Sequence, residues 1–161
     1  MRRNTLFRAM LVISMFVISI PAYCGMVYAP NHIFKQWNNT TFSGEPCAVG
    51  QGVNIAWNMG SGGPTDGGCG QLTDYFCEEW TGYIKAPYTG TVTFYSYTDD
   101  RGYLYITDPA TGVETNVVNS VWDQESSGTF NMVQNTYYPF RYRFIEYGGG
   151  ALYYLRWSYP G

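Results

Sequence analysis

The sequence predicts an all-β fold, either an antiparallel sandwich or a barrel. Aromatic residues dominate the chain: its 161 residues include 16 Tyr, 9 Phe and 5 Trp, and beyond residue 22 there are only four Leu. Aromatic and β-branched side chains suit pleated, half-buried surfaces, while the 19 Gly supply turns. No window spaces its apolar residues as an amphipathic helix does, and short alternating runs are separated by turn sequences.

The first 22 residues have the pattern of a secretory signal peptide. Three arginines precede an apolar run, residues 9–20, which is broken only by two serines and is followed by Pro21 and Ala22. About 12 apolar residues are too few to cross a bilayer, which needs ~20. We therefore expect residues 1–22 to be removed and residues 23–161 to form one secreted domain, in the extracellular space, at the cell surface or in the periplasm.

Removal of the signal peptide makes the chain acidic. It takes away three of the nine basic residues and none of the twelve acidic ones, which leaves a formal charge of −6. Nucleic acid and anionic lipid are bound through basic patches, so this charge argues against both as the main partner. We expect no nucleic-acid partner and no membrane insertion, and the acidic balance is consistent with a cation site.

The four cysteines predict two disulfides. Cleavage after Ala22 keeps the even set Cys24, Cys47, Cys69 and Cys77, whereas cleavage after Cys24 leaves an odd thiol, which is unusual in an oxidising compartment. Their spacings resemble no zinc pattern. A local pair of Cys69 with Cys77 leaves Cys24 with Cys47, but four cysteines allow three pairings, so the connectivity stays open.

Alternating runs between turn sequences place most of the strands. The strands predicted in the second half of the chain are residues 91–97, 103–106, 128–133, 138–147 and 151–158. The longest of them puts Phe140, Tyr142 and Phe144 on one face and two arginines on the other. With Phe94 and Trp157, these aromatic positions predict the core. Residues 44–70 are richer in Gly and Pro, which predicts a long loop region tied down by cysteines.

Several motifs that occur in a fixed order carry a resemblance to a known family. They are residues 38–44, 54–57, 80–87, 89–94, 98–106 and 137–141, Glu146, the three glycines at 148–150, residues 151–152 and residues 155–161. The chain resembles the fourteen-kilodalton protective-antigen domain family, a module of anthrax-type toxins, bacterial glycosidases, adhesins and yeast flocculins. The resemblance implies a jelly-roll-like antiparallel β-sandwich, usually with a carbohydrate-binding role.

Asp99 and Asp100 are the residues for which the resemblance matters most. By itself, Asp99–Gly102 indicates a hairpin turn, because Asp and Gly suit such positions. In the adhesins that the chain resembles, the paired carboxylates ligate calcium, the peptide between them is cis, and the ion touches the sugar. Calcium takes ~6–8 oxygens, so carbonyls, water or sugar hydroxyls complete its shell. The resemblance therefore implies calcium as a cofactor held by Asp99 and Asp100.

The glycine-rich segment after residue 145 is the candidate for the second calcium loop. The expected ligands there are Glu146, Gly148 and Gly150. Calcium-binding members of the family often place an asparagine just before the glycines, whereas this chain has Tyr147. Two alternatives follow. In the first, Glu146 supplies the oxygen ligand that the asparagine would have given. In the second, the ion is absent and the glycines form only a flexible hairpin.

An aromatic platform beside the ion is the second expected part of the site. Sugar faces are apolar and stack on rings, while their hydroxyls need polar partners. Tyr97, Trp122 and Tyr147 are the predicted platform residues. The expected partners are glycans or a polysaccharide.

No catalytic role is expected. The single histidine, His32, precedes most of the motifs, which disfavours a histidine-based triad. Glu78, Glu79, Asp123 and Glu125 are the acids that a glycosidase pair would need. Adjacent strand residues point to opposite faces, so we expect these four to be solvated surface acids instead.

Two functions are compatible with these patterns. The first is a calcium-assisted lectin or adhesin. The second is a structural or assembly subunit of an extracellular or surface complex, in which the sandwich packs against copies of itself or another protein. A signal peptide followed by one domain, without a stalk or wall anchor, gives weight to the second. An intact ion site favours the first, and an apolar patch or an unpaired strand edge favours the second.

The mature protein is predicted to start at Tyr23. The basis is the small-residue boundary at Ile20–Ala22 together with cysteine parity. Intact-mass measurement of the secreted protein checks the prediction, and a chain that starts at Gly25 would contradict it.

Overall fold

The protein is a sandwich of two antiparallel sheets. The computed structural model describes residues 22–64 and 69–161, so the predicted signal peptide lies outside the described residues except for Ala22. The strands are β1 (Ala22–Met26), β2 (Tyr28–Trp37), β3 (Ala48–Asn54), β4 (Ala56–Gly60), β5 (Phe76–Lys85), β6 (Gly90–Asp99), β7 (Arg101–Thr107), β8 (Glu114–Ser120), β9 (Gln124–Met132), β10 (Tyr137–Glu146) and β11 (Ala151–Pro160). Within the described ranges, no helix has the length and apolarity to cross a membrane.

The strand order confirms the predicted all-β sandwich. The first sheet has the order β1-β11-β6-β9, with β4 also paired to β11. The second sheet has the order β3-β2-β5-β10-β7-β8. The pairings between these strands are antiparallel.

Side chains along β10 point alternately to the inside and the outside of the sandwich, as the sequence predicts. Phe140, Tyr142 and Phe144 are buried between the sheets. The arginines between them face outward, where Nε of Arg143 lies 2.6 Å from Oε2 of Glu79. The strand is therefore apolar on its inner face and ion-paired on its outer face.

Aromatic rings join the two sheets. The Trp80 ring of the second sheet lies 4.7 Å, centroid to centroid, from the Tyr153 ring of the first. Tyr153 also lies 5.0 Å from the Phe144 ring. Each such ring pair adds ~0.5–1.5 kcal/mol of stabilisation beyond that from burying the apolar surface of the rings. The predicted core residues Phe94 and Trp157 are buried as well, so the predicted core is confirmed.

The region 44–70 contains two strands, β3 and β4, which the sequence did not predict. Its glycines were interpreted as turn residues, but two of them lie within β3 and allow close packing. A Cβ on Gly50 would lie 2.7 Å from Cε1 of Phe34, and a Cβ on Gly52 would lie 2.7 Å from Nε2 of His32. Glycine in a strand often marks such an approach. The predicted disulfide tie is present, because Cys47 is bonded to Cys69.

The prediction of two disulfides is wrong. Cys47 pairs with Cys69, and the other two thiols are free. Cys77 is buried in β5 in a small cluster with Trp37 and Ile145, whereas Cys24 is exposed on β1 in the other sheet. The parity of the cysteines therefore does not locate the cleavage site, because parity takes no account of burial.

The first strand shows what a start at Tyr23 or at Gly25 would change, and the start itself stays a prediction. Tyr23 pairs with Tyr159 in the β1–β11 ladder, and the two rings stack with centroids 5.0 Å apart. A chain that begins at Tyr23 keeps this contact, and a chain that begins at Gly25 loses it.

Thiol labelling distinguishes the observed cysteine pairing from the two-disulfide scheme. We expect one labelled thiol per native chain, at the exposed Cys24. The second, Cys77, reacts only after denaturation, because burial raises the pKa of its thiol to about 11 and excludes the reagent. Mass spectrometry of the unreduced, denatured protein should find two labels. No label in the denatured protein would contradict the structure.

Candidate metal centre

Asp99 and Asp100 lie at the turn between β6 and β7. Asp99 is the last residue of β6 and pairs with Leu152 of β11, while Asp100 is the single residue between the two strands. The peptide between the aspartates is cis, as the resemblance implies. Both side chains are half-buried.

The register of β10 brings a third carboxylate to this turn. Ile145 of β10 pairs with Arg101 at the start of β7, so the next residue, Glu146, lies beside the aspartates. One carboxylate oxygen from each of Asp99, Asp100 and Glu146 lies within 4.8 Å of the others. An adjacent pair of aspartates and a glutamate 46 residues later thus bring three carboxylate oxygens close together, and oxygen ligands are those that a hard cation prefers.

A network of buried hydroxyl groups lies beneath the turn. The Oγ of Ser120 lies 3.0 Å from that of Ser96 and 2.9 Å from Oγ1 of Thr98. Ser96 also contacts the hydroxyl of Tyr142 at 2.8 Å. Thr98 in turn donates to the carbonyl of Asp100 at 3.3 Å. Because a satisfied buried network is rigid, it fixes the position of the aspartate turn.

Gly102 makes room for this network. A Cβ at that position would lie 2.6 Å from Cγ2 of Thr98, and 2.7 Å from both the Ser120 and Tyr142 oxygens. Any side chain at Gly102 would therefore displace the hydroxyl groups that support the turn.

Glu146 is the most constrained member of the cluster. Its side chain is fully buried, and within the described residues neither carboxylate oxygen makes a hydrogen bond of normal geometry, although the backbone N–H of Gly148 lies close enough to affect its pKa. Burial, with the nearby charge of Asp100, raises the pKa of Glu146 to about 8, although the N–H of Gly148 opposes the shift. A buried carboxylate is costly unless it is neutralised or paired. A divalent cation satisfies that requirement, so the donor set fits calcium.

The glycine loop 148–150 closes over the aspartates. The N–H of Tyr147 donates to Oδ2 of Asp100 at 2.6 Å. A Cβ on Gly150 would lie 3.3 Å from Oδ2 of Asp99, so this glycine packs closely against the carboxylate. Gly149 has a φ of 104°, which favours glycine.

Asp74 is a member of the site that sequence reasoning missed. It belongs to the segment before β5, and its Oδ1 accepts a hydrogen bond from the N–H of Gly149 at 3.0 Å. The nearest atom to a Cβ on Gly148 is the same oxygen, at 3.7 Å. Asp74 therefore anchors the glycine loop. Its local sequence, between Thr73 and Tyr75, contains no signal for this role.

Two of the three predicted platform residues line one cleft. Trp122 and Tyr147 line a cleft of about 350 Å³ next to the carboxylates, with Asp100, Arg101 and Gln124. Trp122 is 64% exposed and Tyr147 is 42% exposed.

The third platform residue, Tyr97, does not line that cleft. Its hydroxyl donates to Oδ1 of Asp123, and its ring lines a separate cleft with Glu125, Tyr154 and Arg156. The structure thus brings Trp122 and Tyr147 together but places Tyr97 elsewhere.

The acids considered for a glycosidase pair all have partners. Glu78 accepts a hydrogen bond from Nε2 of Gln36 at 2.8 Å and is buried, so its prediction as a surface acid is wrong. Its position on the inner face of β5 explains the burial. Glu79 contacts Arg143, and Glu125 contacts Arg156. Asp123 accepts the hydrogen bond from Tyr97.

Solved structures share this fold. An anti-sigma factor domain-containing protein matches with a TM-score of 0.67 and 24% identity, over 80% of this chain and 42% of that one, so the chain spans about two fifths of that protein. The epithelial adhesin 9 A domain from Candida glabrata, in complex with Galβ1-4GlcNAc, matches with a TM-score of 0.61 and 14% identity over 83% of both chains. At these identities the likeness shows the fold.

A catalytic protein also contains the same kind of sandwich. The β-glucosidase from Kluyveromyces marxianus, in complex with glucose, matches with a TM-score of 0.57 and 13% identity, over 81% of this chain and 19% of that one. No curated protein sequence matches the chain.

A family model matches most of the sequence. The description of that family is the PA14 domain, and the match covers residues 36–161, from the end of β2 to the last residue. This protein belongs to the PA14 domain family.

Proposed function

We propose that this protein is a secreted carbohydrate-binding module of the lectin or adhesin type, assisted by calcium. The observation that carries the proposal is the buried carboxylate of Glu146, which makes no hydrogen bond of normal geometry within the described residues and lies beside two further carboxylates. A carboxylate in that environment requires a cation or a proton. The oxygen-only donor set favours a hard cation such as calcium.

The ion would be held by residues of two loops. Asp99, Asp100 and Glu146 would supply carboxylate oxygens, and Gly148 and Gly150 are the proposed carbonyl donors. When bound, calcium offers open coordination positions to sugar hydroxyls. Asp74 keeps the glycine loop in place through the N–H of Gly149.

The cleft beside the carboxylates suits a sugar ring. Trp122 and Tyr147 offer exposed rings for the apolar face of a sugar. Arg101 and Gln124 line the same cleft and offer hydrogen-bond donors to its hydroxyls. The similar adhesin domain was solved with Galβ1-4GlcNAc, which supports a glycan as the ligand here.

The same observations favour binding without catalysis. The acids outside the carboxylate cluster that a glycosidase would need are occupied by Gln36, arginines or Tyr97. A module of this kind acts outside the cytoplasm, in agreement with the predicted signal peptide. The rival function, a subunit that only assembles, predicts no response to calcium or glycans.

Calcium should stabilise the native protein and have no effect on the Asp99→Asn/Asp100→Asn double variant. The substitution removes two charges while nearly preserving shape, so folding should survive. At a calcium concentration 100 times the dissociation constant, the free energy of unfolding should rise by about 2.7 kcal/mol. Thermal melts with calcium and with chelator measure the change.

The control for that experiment is Glu45→Gln, which removes an exposed carboxylate in the loop before β3. It should respond to calcium as the native protein does. A glycan array with and without calcium gives the second readout. Identical native melts together with a blank array would contradict the proposal and favour the assembly function.

The calcium-free protein should become less stable as the pH rises from about 4.5 to about 8. The pKa of Glu146 is raised by burial and by the charges of Asp100, Asp99 and Asp74, so the unfolded chain loses this proton first. Between these pH values the unfolded state binds fewer protons, and stability falls. Denaturant melts in chelator measure the effect.

Glu146→Gln keeps the shape of the side chain and removes its titration. This variant should be more stable than the native protein at pH 9 in chelator and should show a flatter pH profile. Parallel pH profiles for the variant and the native protein would show that Glu146 has no raised pKa.

A further inference from the structure

A third cleft lies at the end of the sandwich opposite the carboxylate cluster. Strand β5 begins at Phe76, which pairs with Glu146, and ends at Lys85, which pairs with Tyr137. The cleft has a volume of about 790 Å³, and both Lys85 and Tyr137 line it, together with Gly82 of the same strand. This cleft and the proposed ion site lie at opposite ends of β5, which has ten residues at ~3.3 Å each.

Four aromatic rings and two prolines line this cleft. Tyr28, Tyr83 and Tyr137 are each 59% exposed and line the same cleft. The deepest ring is that of Trp157, which is 6% exposed. Each tyrosine combines an apolar ring with a hydroxyl at its tip. The cleft thus offers flat apolar faces surrounded by hydrogen-bonding groups.

One cation lines the cleft together with these rings. Lys85 is the single charged residue among those that line the cleft. Within the described part of the chain, its ammonium group belongs to none of the ion pairs, which join Arg141, Arg143 and Arg156 to glutamates. The cleft therefore carries a positive charge that forms no salt bridge with a described carboxylate, on a protein that is acidic as a whole.

We propose that this cleft binds an acidic oligosaccharide, separately from the calcium site. The tyrosine rings stack on sugar faces, the hydroxyls and the Asn31 side chain bind sugar hydroxyls, and Lys85 pairs with a carboxylate or sulfate of the ligand. The volume lies within the range of ~300–1,000 Å³ that is typical of small-molecule sites.

A proline-rich peptide is the main alternative occupant, because it also binds to aromatic grooves. Such a peptide would contact the tyrosine rings but would leave Lys85 without a partner. An acidic sugar accounts for the rings and for the charge together. The charge of Lys85 is therefore the observation that selects the ligand class.

The test measures binding of trisaccharides by calorimetry in the presence of a chelator. The probes are trigalacturonate, sulfated maltotriose and unmodified maltotriose. The chelator empties the proposed calcium site and prevents the uronate from carrying calcium into it. The Asp99→Asn/Asp100→Asn variant is tested in parallel. Loss of binding in this variant would place the sugar at the proposed calcium site, whereas unchanged binding would place it elsewhere.

We expect the acidic trisaccharides to bind more tightly than maltotriose, and the aspartate variant to bind them as the native protein does. Lys85→Gln should weaken acidic binding about threefold to fivefold, the range of an exposed ion pair, and leave maltotriose unaffected. Lys35→Gln, which removes the other described lysine, is the control. Tyr137→Ala should weaken all three by at least about tenfold.

Three results would overturn the proposal. The first is equal binding of neutral and acidic trisaccharides with no effect of Lys85→Gln. The second is that an octaproline peptide displaces the bound sugar or binds more tightly than it does. The third is a lack of binding heat with every probe at millimolar concentration. A thermal melt verifies that each variant is folded, and Tyr83→Ala replaces Tyr137→Ala if the latter unfolds.

Discussion

The structure depends at its functional end on one electrostatic constraint, the burial of the Glu146 carboxylate. This group is fully buried at the end of β10 and has two further carboxylates as neighbours. An isolated charge there is strongly disfavoured, so the group must hold a proton or face a cation. The arrangement is unfavourable for a charged carboxylate in an empty site and favourable for a protein that binds a divalent ion, which is why we propose calcium for this site.

The surrounding architecture keeps the three carboxylates together. The β10–β7 register places Glu146 beside the aspartate turn, and the buried hydroxyls of Ser96, Ser120 and Thr98 hold that turn from below. Asp74 holds the glycine loop from the side. Because these supports come from both sheets and from a loop near the disulfide, the site is a property of the whole sandwich rather than of one hairpin.

The sequence predicts the fold and the turn at Asp99 and Asp100 well, because both depend on local patterns, whereas the role of that turn in ion binding comes from the family resemblance and stays a prediction. Alternation identifies the inner face of β10, and the motif around Asp99 is contiguous. The role of Asp74 depends instead on contacts across 75 residues. The cysteine pairing was wrong for a similar reason: a count of thiols does not reveal that Cys77 packs beside Trp37. Likewise, Gly50 and Gly52 have the composition of a loop, although they accommodate rings inside a strand.

The measurement that tests the central claim most directly is calorimetric titration of calcium into the native protein and into Glu146→Gln at neutral pH. The account predicts one calcium ion per native chain and an affinity at least about tenfold lower for the variant, which corresponds to a loss of about 1.4 kcal/mol or more. A native protein that takes up no calcium, or a variant that binds it with the native affinity, would contradict the assignment of Glu146 as the buried ligand.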